Sequence, residues 1–149
     1  MASGRTVQAI LDHKGNAVYT VPSTSSVYHA LQVMAEHNVG AVVVTCGEQL
    51  CGIFSERDYA RKVTLRGRSA RETTVGEIMT DWPVTVTPTH TAEDCMRFMS
   101  ELRLRHLPVV DQGTLCGLVS IGDVVNWTIR QQEEEIASLY KYIEGSYPV

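Results

Sequence analysis

A chain of 149 residues with 44% hydrophobic residues has the size of one ordinary domain and enough apolar material for a packed core, which excludes general disorder. A net charge of −4 with dispersed Lys and Arg excludes a general nucleic-acid surface, which needs a basic stripe. No apolar run reaches the length of a membrane span and the N-terminus has no signal-peptide apolar region, so the expected location is cytoplasmic, with no membrane partner.

In chain order, Val7 to Leu11 is expected to form a short helix before a Lys14-Gly15-Asn16 turn. Val18 to Val21 reads as a short strand ending at Pro22. Ser23 to Ser26 offers several caps for a helix carrying Val27, Ala30, Leu31, Met34 and Ala35 at helical spacing. Ala41 to Thr45 is a continuous apolar strand, and Leu50 to Phe54 follows across a Gly47-Glu48-Gln49 turn. Glu56 to about Leu65 reads as a helix.

The same order then returns. Val75 to Met79 is a short helix, Asp81-Trp82-Pro83 a break, and Val84 to Thr87 a short strand. Thr91 caps a helix with Cys95, Met96, Phe98, Met99 and Leu102, and Asp94 stands where a capping-box partner belongs. Leu107 to Val110 and Leu115 to Val119 are strands, and a long helix runs from Ile121 to about Glu144. Past Trp127, that helix carries Ile129, Ile136, Leu139, Tyr140 and Ile143 on one stripe, which either covers an edge of its own chain or packs on a second chain.

The return is a duplication. At an offset of 65, Leu50-Cys51-Gly52 meets Leu115-Cys116-Gly117, Ser55 meets Ser120 and Asp58 meets Asp123. Thr6 to Leu11 resembles Thr74 to Met79 at an offset of 68. The chain divides into a first repeat at 5–68, a second at 69–130 and a helical extension at 131–149. A repeat this small is marginal alone, so the two are expected to share an interface. Cys51 and Cys116 hold the same place in the two copies and read as small buried hydrophobes; Cys46 and Cys95 complete the set, and no C-x-x-C pair suggests a metal.

The chemistry concentrates at Gly52-Ile53-Phe54-Ser55-Glu56-Arg57-Asp58 and Gly117-Leu118-Val119-Ser120-Ile121-Gly122-Asp123. A strand that feeds straight into a helix sets free backbone N–H groups beside a hydroxyl and a carboxylate. Such a corner suits a phosphorylated ribose, with phosphate at the helix start and sugar hydroxyls on the carboxylate. The plainer reading is a capping box serving the helix alone. The two are compatible, because a carboxylate has two oxygens. The five histidines show no ligand spacing, and no nucleophile–base arrangement is present, so neither catalysis nor a metal is expected.

These motifs, with Val39-Gly40-Ala41-Val42-Val43-Val44 and Arg105-His106-Leu107-Pro108-Val109-Val110, resemble a pair of cystathionine-β-synthase (CBS) domains over residues 5 to 130. The resemblance implies a mixed α/β fold: two β-α-β-β-α units, each with a preceding short helix, related by a pseudo-twofold axis as a Bateman module. It implies two clefts for AMP, ADP, ATP, NAD or S-adenosylmethionine, a regulatory role without catalysis, and a homodimer through helices.

Carried onto this chain, the resemblance gives Asp58 and Asp123 the ribose and Ser55 and Ser120 the phosphate. Arg57 adds a cation where the second copy has Gly122, and Arg105 supplies one to the second corner. Val21, Pro22, Ala41 and Val42 would frame one adenine. Val86, His106, Leu107 and Pro108 would frame the other, with Met79 and Thr80 reaching a base from the linker. The competing reading is an interaction or redox-partner scaffold with empty clefts.

Overall fold

The computed structural model describes residues 3–146. Helix α1 (Val7–Lys14) starts where Thr6 stays extended and its hydroxyl accepts the Ala9 N–H at 3.2 Å. It stops at Gly15, whose φ of 99° ends the helix without strain. The first half continues as β1 (Thr20–Pro22), α2 (Val27–His37), β2 (Ala41–Cys46), β3 (Gln49–Ser55) and the short α3 (Glu56–Asp58). The second half gives α4 (Val75–Ile78), β4 (Thr80–Asp81), α5 (Ala92–Leu102), β5 (His106–Asp111), β6 (Thr114–Ser120) and α6 (Ile121–Ser146). Helix α2 is capped by Ser26 and α5 by a Thr91/Asp94 capping box, as their sequences imply.

One sheet has the order β1-β2-β3-β4 and the other is the β5-β6 hairpin. Strand β1 runs parallel to β2, whereas β3 is antiparallel to both β2 and β4. In each hairpin the register places a slot residue opposite the corner serine: Ala41 faces Ser55 and His106 faces Ser120.

Three local expectations are corrected. Val84 to Thr87 is not a strand; Val86 alone bridges to Val109, donating its N–H to Pro108 O while its carbonyl accepts the Val110 N–H. Trp82 turns the chain with a φ of 47° and Pro83 has no N–H to pair, so the ladder cannot extend. Instead Thr80–Asp81 pairs with Gly52 and Ile53, and a Cβ on Gly52 would collide with the Met79 side chain. Past Asp58 the helix widens into a π-helix over Tyr59–Thr64, with Leu65 N–H on Ala60 O and Arg68 N–H on Val63 O. That wider turn keeps Val63 buried and brings Lys62 Nζ to Asp58 and to the Ile78 carbonyl. Cys51 is buried but is not a plain hydrophobe, because a disulfide to Cys46 ties the β2–β3 hairpin. Its counterpart Cys116 has Asp111 where a bonding partner would stand, and donates its thiol to Val109 O.

The core is double, and the opening helices cross over. Val7, Ile10 and Leu11 of α1 pack with Val86, Cys95, Met99, Leu107, Val109 and Val119. Val75 and Ile78 of α4 pack with Val21, Val27, Met34, Val42, Val44 and Phe54. The hydrogen bonds repeat this exchange. Val7 N–H binds His90 O and Gln8 N–H binds Pro88 O; Val75 N–H binds Ser25 O and Gly76 N–H binds Ser23 O. The partners differ by 65 and 68 in sequence, so the duplication has become a pseudo-twofold axis. At Gly76 a Cβ would meet the Ser23 carbonyl at 3.0 Å, so this crossing is packed tightly.

Candidate functional site

Each corner is a sheet edge turned into a helix. At the first, Asp58 Oδ2 accepts Ser55 N–H at 3.0 Å and Ser55 Oγ–H at 3.1 Å, and Asp58 N–H returns to Ser55 Oγ. At the second, Asp123 Oδ2 accepts Ser120 N–H at 2.8 Å and Asp123 N–H binds Ser120 Oγ. Both are reciprocal capping boxes, so the helix-start reading of the two motifs holds. Neighbouring backbone repeats the geometry: Glu56 N–H binds Gly40 O, and Ile121 N–H binds Arg105 O.

The corners differ in what holds the carboxylate. Asp58 Oδ1 lies 3.2 Å from Lys62 Nζ, so both oxygens are engaged by the chain itself. Asp123 Oδ2 takes Lys14 Nζ at 2.6 Å besides Ser120 N–H, and Oδ1 has no hydrogen bond among the described residues. Burial alone would raise the Asp123 carboxyl, but the Lys14 and Ser120 hydrogen bonds and the Lys14 charge outweigh it and hold the group below its ordinary value. Asp123 also lines a cavity of about 340 Å³ between α1 and α6, with Ile10, His13, Lys14, Trp127 and Arg130. That volume is in the usual range of small-molecule pockets.

His106 lies between the corners. Its ring stands 3.7 Å from the position a Cβ would take on Gly40, at the entry to β2, and it feels the charges of both Asp123 and Asp58. Burial is the dominant influence, and it pushes the imidazole below its ordinary value. The folded protein therefore resists a proton that the unfolded chain accepts near the ordinary pKa of about 6.5. Stability from this residue is fully present above that value and is lost as pH falls from there through the lowered folded pKa. Urea midpoints at pH 7.5 and 5.5 should show this loss, and His106→Asn should reduce the difference. An unchanged pH dependence in the variant rejects the assignment.

The other residues singled out in the sequence fall into two groups. Val21, Ala41, Val42, Val86 and Leu107 are buried strand or core positions, and Pro108 is buried beside them. Pro22 and Arg105 are exposed, Gly122 is exposed at the start of α6, and Arg57, Met79 and Thr80 are half-buried. Sequence reasoning missed Lys14, which reads as part of a turn. Lys62 sits four residues after Asp58, a spacing that signals such a pair; nothing local signals Lys14, which is 109 residues from Asp123.

The family model for the CBS domain matches residues 14–64 and again 75–129. The chain belongs to the CBS-domain family. It carries a CBS pair, a regulatory module. Its similarity to the mitochondrial CBS domain-containing protein CBSX3 of Arabidopsis thaliana is 46% identity over 127 residues, covering 82% of this chain and 62% of that protein. The chain thus spans less than two thirds of that relative. A solved CBS-domain crystal structure is 44% identical with a TM-score of 0.80, covering 84% of this chain and 98% of the other. The crystal structure of CBSX2 in complex with AMP is 26% identical with a TM-score of 0.69, covering 86% of this chain and 98% of that one. The mixed α/β architecture of two CBS repeats expected from the sequence agrees with these neighbours.

Proposed function

We propose that this CBS pair is a non-catalytic sensor of adenine nucleotides, with AMP, ADP, ATP or NAD(H) as the candidate ligands. The observation that carries the reading is Asp123: a carboxylate held ionised by Lys14, with one oxygen unfilled, at the edge of a 340 Å³ cavity. A sugar diol needs such an acceptor, and the adjacent N-terminus of α6 favours phosphate. The AMP complex of CBSX2 supports the ligand class. Ser120, Gly122, Arg105 and His106 lie at the corner itself and are assigned to it, although of the residues expected there Asp123 is the one that lines the cavity. The first corner, with Ser55, Arg57 and Asp58, is the weaker site in this reading, because Asp58 Oδ1 already faces the Lys62 ammonium at 3.2 Å, which a sugar hydroxyl must share, whereas Asp123 Oδ1 has no hydrogen bond among the described residues.

The reading includes a homodimer in the cytoplasm. On α6, Ile129, Ile136, Leu139, Tyr140 and Ile143 are all exposed, and an apolar stripe of that length suits a second copy. Signalling then requires that nucleotide favour one state of the dimer over another. Among the described residues, no helix is long and apolar enough to cross a membrane.

A thermal-shift screen over AMP, ADP, ATP, NAD, NADH, GTP and S-adenosylmethionine tests the proposal. A ligand at a hundredfold its Kd adds about 2.7 kcal/mol to the folded state. In a domain this size that is a rise of roughly 5–10 °C in Tm. The expected result is a shift with at least one adenine ligand and none with GTP. No shift with any adenine ligand overturns the reading in favour of a scaffold with empty clefts.

A further inference from the structure

Lys14 ends α1, a helix that belongs to the first half by sequence and to the second core by packing. Its ammonium donates to Asp123 Oδ2 at 2.6 Å and to the Leu118 carbonyl at 2.8 Å. Among the described residues the first corner has nothing equivalent: at the offset of the opening helices Lys14 corresponds to Trp82, which is 81% exposed and turns the chain at a positive φ. There the carboxylate is served by Lys62 of its own helix. Among the described residues, then, it is the second corner that receives a cation from the opposite repeat.

An ammonium has three donors. Two of them are committed to Asp123 and Leu118, and Lys14 lines the 340 Å³ cavity beside Asp123. The third proton is available to an anion without breaking the pair that keeps Asp123 ionised. Asp123 Oδ1, unfilled, remains for a neutral hydroxyl. The two charges divide the work: the carboxylate takes a diol, and the lysine takes an acid group on the same molecule.

We propose that Lys14 is the specificity-determining residue of the second corner, selecting a phosphorylated nucleoside over the unphosphorylated one; this rests on the nucleotide-binding reading above. An unphosphorylated nucleoside uses Asp123 Oδ1 and leaves the lysine's third donor unmet by ligand. A nucleoside monophosphate satisfies both groups. A charged-group hydrogen bond of this kind is the strong class, and it is sensitive to salt where the site is open.

Calorimetry with AMP and with adenosine tests this, using proteins that carry Asp58→Ala to remove the first corner's carboxylate. Lys14→Met keeps the apolar stem and deletes the charge; Lys14→Gln does the same with a polar end and guards against a packing fault. The expected result with Lys14 present is AMP bound at least tenfold more tightly than adenosine. In both variants AMP weakens about fivefold while adenosine is unchanged or tighter, so the ratio collapses. The AMP affinity also loses most of its dependence on KCl between 50 and 300 mM. An unchanged ratio and salt slope in folded variants defeats the lysine assignment alone. Absence of binding by either ligand in every one of these proteins, and also in the wild-type chain titrated beside them with its first corner intact, defeats the nucleotide reading and this inference with it.

Discussion

Asp123→Ala is expected to weaken AMP binding at least tenfold, whereas Asp58→Ala weakens it less. The carboxylate of Asp123 has an oxygen to give, and hydrogen bonds to a charged acceptor contribute about 1.5–3 kcal/mol each. Losing one of these corresponds to about tenfold or more in Kd. Asp58 has less to lose, because its Oδ1 already faces the Lys62 ammonium and a sugar hydroxyl must share it. The substitution at 123 also removes the acceptor for Ser120 N–H, a capping loss of about 1 kcal/mol in stability. Asp123→Asn separates the two effects. It retains a neutral oxygen for the cap but not the charge that holds Lys14 and attracts a diol. Titration calorimetry on both variants, with thermal melts to establish folding, decides the matter. Equal AMP affinity in wild type and Asp123→Ala would remove this residue from the site.

Phe54→Ala is expected to cost about 3–5 kcal/mol of stability, the largest effect of any single change proposed for this protein. Phe54 is fully buried among Val21, Val27, Val42 and Val63, and it is the residue immediately before the first corner's serine. A void there is refilled only in part, because stiff β-branched valines make up much of the same cluster, although Met34 shares it. For a domain whose total stability is about 5–15 kcal/mol, such a loss approaches the threshold of folding. Urea unfolding should show a lower midpoint with an unchanged slope, since the surface exposed on unfolding hardly changes. Leu65→Ala is the control: Leu65 is 79% exposed, and its loss should fall within about 0.5 kcal/mol of zero. Similar midpoints for the two variants would contradict the packing described here.

What the sequence made legible is local or repeated. The duplication is visible because strand-end serine and aspartate recur at one offset, and the capping boxes are visible because Ser-x-x-Asp and Thr-x-x-Asp carry their own geometry. Helix α2 and the two hairpins follow from spacing and turn chemistry alone. Pairings between distant residues were not legible. An amphipathic α1 announces that Val7, Ile10 and Leu11 are buried, but periodicity names no partner, and the partner is the other half's core. The Lys14–Asp123 pair depends on that crossing, so it shares the same invisibility. The π-helix after Asp58 and the strand Thr80–Asp81 arise where tertiary contacts override local preference: Lys62 is pulled to two acceptors, and Gly52 admits Met79. The Cys46–Cys51 bond joins positions whose side chains meet only once the hairpin register, with its irregularity after Val44, is set.

The crossed opening helices have a consequence for dissection. A fragment ending near residue 68 would carry α1 with Val7, Ile10 and Leu11 bare, and would lack the two residues, Val75 and Ile78, that close its own interior. Its complement would be damaged in the mirror-image way. Each half is the other's missing wedge, so the smallest piece of this protein that keeps its shape includes both.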